Sequence, residues 1–85
     1  MNSPMENDSR EWYNVTVDRV GPDKAGNARV MLTDVKGSFS GKWYFIPSDY
    51  SAPIIETALF AMGNKLEVQT GITNSGIEHF YAIGG

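Results

Sequence analysis

The chain has 85 residues, no cysteine, a single histidine, and seven basic against ten acidic side chains, for a net charge of −3. That length supports one hydrophobic core, and a domain so small buries only about 60% of its unfolded surface. Composition excludes disulfides and thiolate or histidine-rich metal sites, so no cofactor is expected and self-association is the expected extra support. The acidic balance argues against a nucleic-acid partner without forbidding one, because the basic residues are scattered singly along the sequence.

Residues 1–10 (MNSPMENDSR) show neither helical nor strand period and read as a flexible N-terminal tail, with a strand-exchange arm as the other reading. A single domain is expected over residues 11–85. The opening residues lack the basic start and apolar run of a secretory signal, which predicts a cytoplasmic chain, or an exported one if a leader has been removed. No run approaches the ~20 apolar residues that span a bilayer.

Residues 12–20 (WYNVTVDRV) alternate, with Tyr13, Val15 and Val17 on one face and Asn14, Thr16 and Asp18 on the other, as in a half-buried strand. Turn-formers at residues 21–27 (GPDKAGN) break it. Residues 28–35 (ARVMLTDV) form the second strand of a hairpin, with Ala28, Val30 and Leu32 inward and Arg29, Met31 and Thr33 outward. A third strand is predicted over residues 39–46 (FSGKWYFI), bent at Gly41 and ended by Pro47.

The period changes over residues 48–63 (SDYSAPIIETALFAMG). Ser51 is the expected N-cap and Pro53 falls in the first turn, where its missing N–H costs nothing. Ile55, Ala58, Leu59 and Met62 make the expected inward stripe, Glu56 suits the helix dipole, and Gly63 is the expected left-handed end residue. Residues 65–73 (KLEVQTGIT) alternate again, with Leu66 and Val68 inward. Asn74-Ser75-Gly76 is a tight turn, and residues 77–83 (IEHFYAI) close the chain as a fifth strand, apolar on both faces.

Catalytic chemistry finds little footing. His79 has no credible Ser or Asp partner in a triad and reads as a buried or rim residue with a hydrogen bond. The aspartates fall singly in turns without calcium-loop spacing, and the glycine-rich turns lack the Lys-Ser/Thr of a phosphate loop. The expectation is a non-enzyme. Trp43, Tyr44 and Tyr50 cluster in and after the third strand beside Lys42, and alternation sends Trp43 and Tyr44 to opposite faces. With Trp12, they are the candidate aromatics for a ligand or a subunit contact.

The element order is strand, strand, strand, helix, strand, strand. Five short strands with one helix predict a mostly-β fold, an OB-fold-like barrel plugged by the helix. In that layout, and in residues 56–65 (ETALFAMGNK) leading into Leu66-Glu67-Val68, the chain resembles small bacterial OB-fold proteins related to the receptor-binding B subunits of pentameric toxins. The likeness is closest in layout to the B subunit of subtilase cytotoxin. It implies ring assembly, while the disulfide usual in the secreted toxin subunits is missing here.

The functional expectation is therefore a homo-oligomeric binding module that recognises a protein or a glycan. Met31, Phe60, Phe80 and Ala82 are the candidate subunit contacts, as apolar positions expected to face outward. The alternatives are a single-stranded nucleic-acid binder using Trp43, Tyr44 and Lys42, and a structural subunit of a larger complex.

Overall fold

The computed structural model describes residues 11–84. The tail expected over residues 1–10, with its strand-exchange alternative, lies outside the described residues, as does Gly85. Five strands and one helix follow in the expected order: β1 (Glu11–Pro22), β2 (Ala28–Asp34), β3 (Lys42–Phe45), α1 (Ser51–Asn64), β4 (Val68–Thr73) and β5 (Gly76–Ala82). The strands close into a barrel in the order β1-β2-β3-β5-β4, and α1 enters between β3 and β4. That is the OB-fold arrangement.

β1 makes the closure possible because it is long enough to belong to both sides. Glu11 to Val15 pair with β4 and Val15 to Pro22 pair with β2, so the completely buried Val15 sits where the two ladders meet. The seam between β3 and β5 is narrow. It consists of one parallel register pair, Phe45 with Gly76, and the Phe45 N–H donating to the Ser75 carbonyl at 2.9 Å.

Two single-residue bulges reset which side chains face in. On β1, Val17 pairs with Leu32 and Arg19 with Met31, leaving Asp18 unpaired. Arg19 thus turns outward and Val20 packs against the core. On β5, Ile72 pairs with Ile77 and Gly71 with His79, which leaves Glu78 out of the register. Ile77 and Phe80 therefore both face the core, at 0% and 8% exposure, while His79 and Tyr81 face out. This corrects the expectation for Phe80, an intended outward contact that is a core residue. Inside the barrel beside it, the Thr70 hydroxyl is satisfied by donating to the His79 carbonyl at 2.8 Å.

The third strand is shorter than expected. Gly41 takes a positive φ of 61° just before its first residue, Lys42, leaving Phe39 outside the strand. Its ring still packs edge-on against Tyr13 and Tyr44, so it serves the core from a loop. The buried Asp34 organises that loop by accepting hydrogen bonds from the Ser38 and Lys36 N–H groups.

The helix differs from expectation at both ends and on its inward face. Ser51 is its first residue rather than its cap, because a 3-10 turn over Ser48–Tyr50 runs directly into it. Ile54, Ala58 and Ala61 are the buried residues, and Leu59 and Met62 are exposed. The inward stripe is thus rotated by about one residue, since two alanines let the helix lie close against the strands. The left-handed end residue is Lys65, at φ 54°, and Gly63 lies inside the helix at a negative φ.

These positions predict opposite signs from those of a glycine cap. Gly63→Ala should stabilise the fold by about 0.5–1 kcal/mol, because a helix-interior glycine carries excess backbone entropy and a methyl group there would meet nothing within 4 Å. Lys65→Gly should stabilise it by about 1 kcal/mol by relieving the left-handed backbone. Urea denaturation checks both, and a loss of stability in Gly63→Ala would move the cap back to Gly63.

Candidate ligand-binding cleft

The outward side chains of β1, β2 and β3 form rows across the sheet. Arg19, Met31 and Trp43 are register partners in one row, and Gly21, Arg29 and Phe45 in the next. The Asp18 bulge creates the first row by turning Arg19 out. It is tied down by Thr33, whose hydroxyl donates to the Asp18 carboxylate at 2.6 Å and accepts from the Gly41 N–H at 3.0 Å.

Beside these rows lies an open cleft of about 620 Å³, bounded by Arg19, the β1–β2 loop from Pro22 to Ala25, Arg29 and Trp43. Gly21 lines its floor, and a Cβ there would meet nothing within 4 Å. Trp43 keeps 42% of its surface exposed and Phe45 47%. The Arg29 guanidinium lies over the Phe45 ring, 4.4 Å from its centroid, a cation–π contact that holds the arginine on this face.

Asp23 builds the loop. Its Oδ1 accepts from the Ala25 and Asn27 N–H groups, and its Oδ2 accepts from Arg29 Nε at 2.9 Å. The Asn27 N–H, with Arg29 beside it, holds this carboxyl below the usual carboxylate range. Asp23 is thereby occupied by its own loop. Arg19 and Lys24 make no hydrogen bond or ion pair among the described residues.

The expected aromatics separate into different roles. Trp43 stands in the cleft wall. Tyr44 faces the core with 4% exposure, which corrects its place among the ligand candidates. Lys42, the register partner of Leu32, stays exposed with its ammonium 5.3 Å from the Tyr44 ring centroid, away from the cleft lining. Tyr50 is partly exposed, but its hydroxyl donates to the Ile77 carbonyl at 3.1 Å and ties the turn before α1 to β5. Trp12 stands on the outer face of the other side of the barrel, stacked on His79 at 5.2 Å and near Tyr81 at 6.4 Å. Trp12 and His79 are both register partners of Gly71, which puts no side chain between them.

The expected subunit contacts are also divided. Met31 lies in the cleft-side row between Arg19 and Trp43, whereas Phe60 and Ala82 border a shallow groove between α1 and β5. Sequence reasoning missed Arg19, Gly21, Lys24 and Arg29 as one group. The signal present was the loop sequence Gly-Pro-Asp-Lys between two strands that each carry an arginine close to it. The bulge that aligns them was not visible.

Among the described residues, no group of three or more His, Cys, Asp or Glu side chains could hold a metal ion. No helix there is long and apolar enough to cross a membrane. The chain matches no family model, no curated protein and no solved structure. None of these comparisons links the chain to toxin B subunits.

Burial of Tyr44 has a consequence for pH. Its hydroxyl is pushed up to about 12, chiefly by burial and then by nearby Tyr13 and Asp34. The unfolded phenol ionises at about pH 10, so the contribution of the neutral, buried form is complete below that pH and is lost as pH rises toward 12. Tyr44→Phe should shift alkaline unfolding to higher pH, and an unchanged midpoint by circular dichroism would contradict the assignment.

Proposed function

We propose that the protein is a non-catalytic recognition module that assembles with copies of itself and takes its ligand in the β1–β2–β3 cleft. The observation that carries the recognition half is the cleft, a concave site with an exposed Trp43 ring in its wall and charged groups around it. Surfaces of this kind bind by stacking and by polar contacts, and in OB-folds the faces of strands 2 and 3 with the adjoining loops are ligand surfaces. A protein segment or a glycan, the ligand classes expected from sequence, both offer an apolar face to such a ring.

The non-catalytic reading draws on His79. Its Nδ1 lies 3.0 Å from the Tyr81 hydroxyl and its ring stacks on Trp12, an arrangement that suits packing of an outer sheet face.

Self-assembly draws on α1. Its sequence, SAPIIETALFAMGN, holds Glu56 as the one charged side chain. Leu59 and Phe60 are 55% and 59% exposed, and Met62 joins them on the outside. A helix at a water-facing surface ordinarily covers that face with charge, and an apolar outer face is the mark of a contact surface. The small size of the chain and its lack of cysteine point the same way.

Light scattering coupled to size exclusion should give a mass that is a multiple of 9.4 kDa at micromolar concentration. Phe60→Glu should reduce it to that of one chain while leaving the far-ultraviolet circular dichroism unchanged. A wild-type mass of one chain would defeat the assembly half of this reading.

A further inference from the structure

The charge on the cleft runs against the charge on the chain. The protein carries a net −3, yet Arg19, Lys24 and Arg29 converge on one site. The acid among the residues lining it, Asp23, has both oxygens engaged within its own loop and with Arg29. An anionic ligand is favoured there by the uncommitted Arg19 and Lys24, with Arg29 held in place beside them.

The rings add a second requirement. Trp43 and Phe45 are two residues apart on β3 and face the same way, so their backbone anchors are about 6.6 Å apart. Trp43 offers an open ring, and the Arg29–Phe45 pair offers a stacked guanidinium. Flat heteroaromatic groups stack on both kinds of surface. Charge and rings together call for a ligand with planar rings joined by repeated negative charges.

We propose that the cleft binds single-stranded nucleic acid, with Trp43 stacking a base and Arg19, Lys24 and Arg29 taking the flanking phosphates. The inference rests on the recognition-module reading of the same cleft and puts a nucleic acid there in place of the protein or glycan expected from sequence. Single strands are specified because stacking on Trp43 requires an unpaired base whose face is accessible. Arg29 is held in place by Asp23, which accepts from its Nε, and by the Phe45 ring against its guanidinium. Gly21 keeps the floor open for the sugar–phosphate chain.

The test is fluorescence anisotropy of labelled oligothymidylate and oligouridylate against the full chain at low and rising salt. Three phosphate contacts predict a log–log salt slope of about −2 for a single strand. The Arg19→Gln/Lys24→Gln double variant should lower that slope to about −0.7. Trp43→Ala should weaken binding about tenfold or more without changing the slope. Gly21→Val places two methyl groups on the cleft floor at a position with no positive φ and no close neighbour, so it should fold normally and block binding.

Absence of salt-sensitive binding at low ionic strength overturns the proposal, as does binding that survives both Trp43→Ala and Gly21→Val. A glycan array separates this failure from that of the broader reading. If a glycan binds and Gly21→Val abolishes it, the cleft remains a recognition site with a different ligand. If neither class binds, the nucleic-acid proposal falls and a protein segment is the ligand class left to the broader reading.

Discussion

Closure of this barrel depends on a single strand being shared. β1 gives its first residues to β4 and its remainder to β2, and the handover occurs at Val15, which pairs with Val68 on one side and Asp34 on the other. A strand in that position must bend, and its inward side chains must satisfy two ladders at once. Val15 does so with a β-branched side chain that is fully buried at the junction. The opposite seam, between β3 and β5, is held by one register pair and relies on nearby anchors such as the Tyr50 hydroxyl on the Ile77 carbonyl. The fold is thus continuous at β1 and narrow at β3–β5, and the candidate cleft lies on the continuous side.

The bulges have more effect on the candidate surfaces than the turns do. Without the extra residue at Asp18, strand parity would carry Arg19 inward and the row of Arg19, Met31 and Trp43 would not exist. Without the extra residue at Glu78, Phe80 would face out and His79 would face in. One extra residue in a ladder reverses every side chain beyond it, which makes a bulge a low-cost way to choose what a surface displays. Here one bulge exposes a cation beside an aromatic ring, and the other moves a phenylalanine into the core while stacking His79 with Trp12.

The helix illustrates a different principle. Its sequence is apolar around most of its circumference, so two stripes at helical spacing were available to face the barrel. The stripe with Ala58 and Ala61 lies inward because small side chains allow close approach, and Ile54 fills the space at one end. The larger Leu59, Phe60 and Met62 are left outside. An apolar helix therefore both plugs the barrel and supplies the surface through which the proposed assembly would form.

The sequence by itself determined the types of element, their order and the barrel class, because alternation, helical spacing and turn residues are local signals. Ala28, Val30 and Leu32 could be placed inward, Gly41 as a bend in the third segment, and Asn74-Ser75-Gly76 as the last turn, all from their immediate neighbours. The sequence also established that Trp43 and Tyr44 face opposite ways. Tertiary structure alone decided which one faces out, because register against β2 sets the parity of β3. It also decided the two bulges, the inward stripe of α1, and the gathering of Arg19, Lys24 and Arg29 around Trp43. These are relations between residues on different strands, and their energies depend on pairing and burial that no single segment contains.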